Sequence, residues 1–141
     1  IVYRSAAQPG EAAPAPQKPP LDGQAAWSRT IVPDDVLLFR YSALTFNGHR
    51  IHYDRKYVTE VEGYPGLIVH GPLIATLLLD LLRRELPDAQ VAHFDFRAVR
   101  PTFDLHPFSV HGKPSSDGKT VELWAQDYEG WLTMQGTATL A

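Results

Sequence analysis

The sequence predicts an α+β domain: one long buried helix wrapped by a curved antiparallel sheet. Three observations carry this. The run Leu73 to Leu82 is apolar on nearly every face of a helix. From Val91 onward the pattern changes to period two, with Phe94, Phe96 and Ala98 alternating with His93, Asp95 and Arg97. The later strands are separated by the turn sequences Ser115-Ser116-Asp117-Gly118 and Asp127-Tyr128-Glu129-Gly130, which suit a meander.

The elements follow in order. Residues 1–24 hold a short β-like piece, Ile1-Val2-Tyr3-Arg4. A proline- and alanine-rich segment from Ala6 to Leu21 follows, expected to be an extended linker. The folded domain is expected over 25–141. Ala26 to Val32 alternates as a strand. Pro33-Asp34-Asp35 opens a helix with acids in its first turn. Leu37, Tyr41 and Leu44 fall on one face of it, beside Val36, Phe39 and Ala43, and Asn47-Gly48 closes it. Residues 47–53 have neither period and read as a loop. Asp54 caps a short turn through Val58. Gly71-Pro72 starts the long helix, Arg83-Arg84 suit its C-terminal end and Pro87 stops it. Val91–Ala98, Phe108–His111, Val121–Gln126 and Trp131–Leu140 complete the sheet.

The bulk properties narrow the function. A chain of 141 residues with 44% hydrophobic and 21% charged residues supports one domain with a core of its own. A net charge of -3 gives no electrostatic footprint for nucleic acid. The longest apolar run is broken by Asp80 and is too short to span a bilayer. The absence of cysteine excludes disulfides and thiolate metal sites and suits a cytoplasmic location.

The chemistry concentrates in Phe46-Asn47-Gly48-His49-Arg50-Ile51-His52-Tyr53-Asp54. His52 lies between apolar Ile51 and Tyr53, which favours a partly buried, neutral imidazole able to act as base and then acid. Asn47 can hold a water but cannot exchange a proton. A metal at His49 and His52 lacks a clear third ligand. At His70-Gly71-Pro72 the helix start offers backbone N–H groups to an oxyanion. Pro72 has none, so Gly71 is the candidate donor. Arg97 and Arg100 near a strand end suit a phosphate or a carboxylate, or simply a solvated strand face.

The stretch Leu38 to Asp54, with His70-Gly71-Pro72 after it, resembles the MaoC-like hydratases and dehydratases, and within them the mesaconyl-C4-CoA (3-methylfumaryl-CoA) hydratase branch. The resemblance covers residues 25–141 and implies the hot-dog fold. It also implies reversible hydration of an enoyl-CoA, with a short branched dicarboxylic acyl group as the expected substrate. His52 matches the family's catalytic histidine. His49 and Arg50 fall where asparagine and proline usually stand. Asn47 falls where the catalytic aspartate usually stands, and Gly71 matches the glycine whose N–H faces the thioester carbonyl.

On this basis His52, Asn47, His49 and Gly71 are the expected catalytic set. Tyr41, Arg40, Arg50, His70, Arg97 and Arg100 are the expected substrate contacts, with Arg40 and Arg50 as the clamp for a distal carboxylate. No metal or redox cofactor is expected, because the substrate brings coenzyme A. The partner expected is a second hot-dog unit pairing edge to edge. It would be either a second copy or a preceding unit that ends in Ile1 to Arg4. Three alternatives compete: a 3-hydroxyacyl-thioester dehydratase of fatty acid synthesis, a hot-dog thioesterase using Asp54, and a non-catalytic binding unit.

Overall fold

The computed structural model describes residues 15–141. The reading of Ile1 to Arg4 as the tail of a preceding unit, and most of the linker, lie outside the described residues. From Gln17 the segment packs on the domain. Gln17 O accepts the Leu132 N–H at 2.8 Å, and the Lys18 ammonium lies 4.6 Å from the centre of the Trp131 ring.

The elements are β1 (Trp27–Ile31), α1 (Asp35–Leu44), a 3₁₀ turn (Arg50–His52), α2 (Arg55–Glu60), α3 (Gly71–Glu85), β2 (Val91–Ala98), β3 (Phe108–Pro114), β4 (Thr120–Gln126) and β5 (Leu132–Leu140). The five strands form one antiparallel sheet in the order β1-β3-β4-β5-β2. The α+β expectation holds, and the fold is the hot-dog. Alternation in strands β3 to β5 sends one set of side chains toward α3. Val110, Val121, Leu123, Ala125, Met134 and Ala138 meet Leu78, Leu81 and Leu82 in a single core. Fully burying a leucine stabilises by about 1.5–3 kcal/mol. Leu78 and Leu82, both at 0% exposure, therefore contribute much of what holds α3 in the curl of the sheet. No helix among the described residues is long and apolar enough to cross a membrane.

Two expectations need correction. On α1 the buried face is Leu38 and Ser42, one turn apart, with Leu37 and Tyr41 at its margins. Leu44 is 80% exposed, and Val36 and Phe39 also face out. The face was misread because both flanks of α1 are apolar, so hydrophobicity alone does not say which flank meets the core. The region 47–53 is also more ordered than a plain loop. Its 3₁₀ turn is held by the His52 and Tyr53 N–H groups donating to His49 O and Arg50 O.

Strand β2 has the predicted period but buries neither face, since Phe94 is only half-buried and Phe96 is 51% exposed. It ends the sheet order, so among the described residues its outer rim carries backbone groups with no strand beside them.

Candidate active site

The segment from Asn47 to Asp54 is folded by its own polar side chains. Asn47 Oδ1 accepts the His49 N–H at 3.0 Å, an Asx turn that starts the 3₁₀ turn. Phe46, just before it, adopts φ 53° and is 96% exposed. Left-handed backbone is costly for a bulky residue and is kept where the surroundings demand it. Tyr53 closes the loop by donating its hydroxyl to Gly48 O at 3.0 Å. Asp54 caps α2 through the Tyr57 N–H at 3.0 Å and holds Arg50 by two contacts of 3.0 and 2.7 Å. The Arg50 guanidinium also lies 4.1 Å from the centre of the Tyr57 ring.

His52 emerges from this turn at 7% exposure. Its Nδ1 lies 2.7 Å from Ile68 O. A carbonyl can only accept, so Nδ1 carries the proton, and a neutral His52 presents a bare Nε2. Nε2 has no partner among the described residues. Burial pushes the His52 pKa down, against the opposing effect of the Ile68 carbonyl.

Behind His52 lies His70, 1% exposed, with the two ring centres 3.7 Å apart and the planes 17° from parallel. His70 Nε2 is 2.7 Å from Ser42 Oγ, and Tyr41 meets the His70 ring edge-on at 4.8 Å. His70 Nδ1 is buried without a partner among the described residues. An orphan acceptor is less costly than an orphan N–H, which assigns the proton to Nε2, donating to Ser42. Burial, with a smaller push from His52, lowers the His70 pKa to about 4. The pair is therefore two neutral imidazoles near neutral pH.

The chain then enters α3. Ile74 N–H donates to His70 O, while the Gly71 N–H has no acceptor among the described residues. Gly71 lines a cavity of about 300 Å³ together with Ile74, Ala98, Arg100, Thr102, Thr133 and Met134. Asn47 lines a different cavity of about 400 Å³, together with Phe39, Ser42, Phe46, Gly48 and Tyr53. His52 lines neither cavity. It is tied to Ile68, which is itself part of the Gly71 cavity wall.

The remaining expected residues are dispersed. His49 is exposed, its ring 6.4 Å from that of His52, and no third ligand gathers there among the described residues. Arg50, expected to clamp a carboxylate, is instead engaged by Asp54. Arg40 is exposed on α1. Arg97 is exposed on β2 and lines a separate cavity with Pro20 and Trp124. His70, expected to touch substrate, is sealed in and backs His52. Of the arginines named, Arg100 alone borders the Gly71 cavity.

Three contributors escaped sequence reasoning. Ser42 partners His70 across 28 residues. Its signal was a serine one turn from Leu38 on a buried helix face. Asp104, whose side chain is 3% exposed, accepts the Leu67 N–H at 2.8 Å and is paired with Arg55, so it braces the entry to α3. Thr133 carries no local signal, being one threonine in a threonine-containing strand.

A family model described as hydroxyacyl-thioester dehydratase type 2 (Htd2) matches residues 1–104. The chain belongs to this family. It is 48% identical to the mesaconyl-C(4)-CoA hydratase of Chloroflexus aurantiacus over 99% of its own length, and it spans 48% of that relative. Among solved structures, the (R)-hydratase from A. caviae involved in PHA biosynthesis superposes with a TM-score of 0.70 at 19% identity, covering 81% of this chain and 91% of that one. A 3R-hydroxyacyl-ACP dehydratase complex, HadBC of Mycobacterium tuberculosis, gives a TM-score of 0.66 at 11% identity, covering 80% and 90%. The two structures establish the shared fold. The Htd2 match bears out the MaoC-like resemblance.

Proposed function

We propose that this family member catalyses reversible addition of water across the double bond of an enoyl-CoA. One observation carries the reading: His52 is held as a neutral imidazole, Nδ1 on Ile68 O and Nε2 free, beside a helix start whose Gly71 N–H is unspent. In the hydration direction His52 Nε2 takes a proton from water as the oxygen bonds to the β-carbon. The electron pair of the double bond moves to the thioester oxygen, where the Gly71 N–H stabilises the developing charge. The enolate collapses as the α-carbon takes the proton, leaving His52 neutral again. Asn47, whose Oδ1 is spent on His49, has its amide N–H groups to offer the water. The scheme calls for no metal or redox cofactor, because the thioester itself acidifies the α-carbon.

The 48% identical relative supports a short dicarboxylic acyl group, and a cavity of about 300 Å³ at Gly71 suits a short chain. Dehydration of a 3-hydroxyacyl thioester is the same reaction reversed, and the family description favours reading it as the working direction. The thioesterase alternative loses support, since Asp54 is spent on the α2 cap and on Arg50. A second hot-dog unit is the proposed partner. The exposed apolar residues of α1 and the bare rim of β2 are the surfaces such a unit would cover. The deciding experiment incubates the chain with a panel of enoyl-CoA esters and follows loss of the conjugated enoyl absorbance. Turnover of at least one ester, abolished by His52→Asn, is expected. No turnover in either direction, with the chain alone or with a partner unit, rejects the reading.

A further inference from the structure

We propose that Arg100, Thr102 and Thr133 form a carboxylate-binding subsite for the far end of the acyl chain. The inference rests on the thioester reading above. Thr102 and Thr133 are 4% and 1% exposed, and neither hydroxyl oxygen has a hydrogen-bond partner among the described residues. Both residues line the cavity that Gly71 also lines. Valine has the same shape as threonine. A buried hydroxyl without a partner costs about 1–3 kcal/mol, so two in one cavity call for a ligand.

The rest of the wall says which ligand. The carbonyls of these two threonines are already engaged. Thr102 O accepts the Val69 N–H, and Thr133 O accepts the Val99 and Arg100 N–H groups. Arg100 Nη1 is buried and has no hydrogen-bond partner among the described residues. Asp127 Oδ2, at 3.6 Å, neutralises the guanidinium without saturating its donors. The polar side chains of the cavity wall are thus two hydroxyls, each able to donate, and a guanidinium, with the unspent Gly71 N–H on the main chain. Ile74, Ala98 and Met134 supply the apolar remainder. A small chamber with these donors among apolar side chains fits an acyl chain with a carbonyl at one end and a carboxylate at the other. Phosphate is the other anion a thioester of coenzyme A brings. It sits at the end of a bulky carrier, whereas these hydroxyls are almost wholly buried, so the acyl end is the one that reaches them.

The test compares kcat/KM for fumaryl-CoA with that for crotonyl-CoA, which carries a methyl group where fumaryl-CoA carries a carboxylate. The wild-type chain is expected to prefer fumaryl-CoA at least tenfold. Thr102→Val with Thr133→Val, and separately Arg100→Met, should each lower that ratio at least tenfold. A ratio unchanged within twofold, or a wild-type preference for crotonyl-CoA, overturns the subsite. Should a variant not fold, or neither ester be hydrated, titration of the wild-type chain with free fumarate and with inorganic phosphate decides. Saturable shifts of the Thr102 and Thr133 methyl resonances with fumarate support the subsite. No shift, or a response to phosphate alone, removes it. Absent hydration combined with a fumarate response would reject the proposed activity while leaving the carboxylate site in place.

Discussion

The imidazoles of His52 and His70 are stacked face to face, 3.7 Å between centres. Burial lowers the proton affinity of both rings, and His52 lowers that of His70 further, because two charged rings at that separation would repel inside a poorly hydrated site. His52 titrates on the ring nitrogen that Ile68 leaves free. His70 has nothing to gain from a proton, with Nε2 already on Ser42.

The first prediction concerns His52. His52→Asn places an amide N–H near the Nδ1 position, keeping the bond to Ile68 O while removing the base. Hydration should fall by roughly 10²–10⁴-fold, the usual worth of a positioned general base, with the thermal transition little changed. Steady-state kinetics beside calorimetry would check both halves. Activity within tenfold of wild type would take the proton transfer away from His52.

Acid should destabilise the fold through His70. Its pKa is lowered from 6.5 to about 4, so the unfolded chain binds the proton first as pH falls. Stability present above pH 6.5 is then lost progressively down to about pH 4, by an amount on the order of 2–3 kcal/mol. Urea unfolding at a series of pH values reads this. His70→Phe, which keeps a ring against His52, should flatten the dependence in that window. An identical slope in wild type and variant would refute the assignment.

Ser42→Ala removes the one partner of a buried imidazole N–H. A loss of about 1–3 kcal/mol is expected, together with a displaced acid limb in the activity profile, because the ring stacked on His52 loses its anchor. Ser42→Thr should restore much of both. A stability loss without any change in the pH profile would mean that Ser42 serves the fold alone.

At Asn47, aspartate can accept the His49 N–H as asparagine does, so Asn47→Asp should keep the turn and retain activity. Asn47→Leu removes the acceptor and the amide together and should lose activity at least a hundredfold. Near-normal rates in both variants would show that Asn47 does not touch the water.

Gly71→Ala separates chemistry from folding. A Cβ there would meet only the Met134 methyl at 3.9 Å, an ordinary contact. Stability should stay within about 0.5 kcal/mol, as for a substitution away from strained or crowded sites. Turnover should nevertheless drop at least tenfold, because the added methyl stands where the thioester must approach the N–H. Full activity would remove Gly71 from the oxyanion role.

Much of the fold could be read along the chain because its elements are periodic. Leu73 to Leu82 announces a buried helix, and the Asp-Gly and Glu-Gly turns announce the meander. The local half of the site was equally legible, since His52, Asn47 and Gly71 sit in short motifs. What stayed hidden depends on residues far apart in sequence. Ser42 meets His70 across 28 positions, and Asp104 reaches back 37 to Leu67. Arg50 was misjudged for a related reason. A guanidinium four residues from a carboxylate on a turning backbone is already committed to it, before any substrate arrives.

The bond from His52 to the Ile68 carbonyl separates two inheritances. The proposed proton-handling unit is wired to Ile68, His70 and Ser42, whereas the wall proposed to face the acyl chain is made largely from Val99 to Thr102 and from β5. Drift in the second set can retune what the pocket accepts without disturbing the first. A lineage built on this scaffold can therefore change its diet while keeping its reaction.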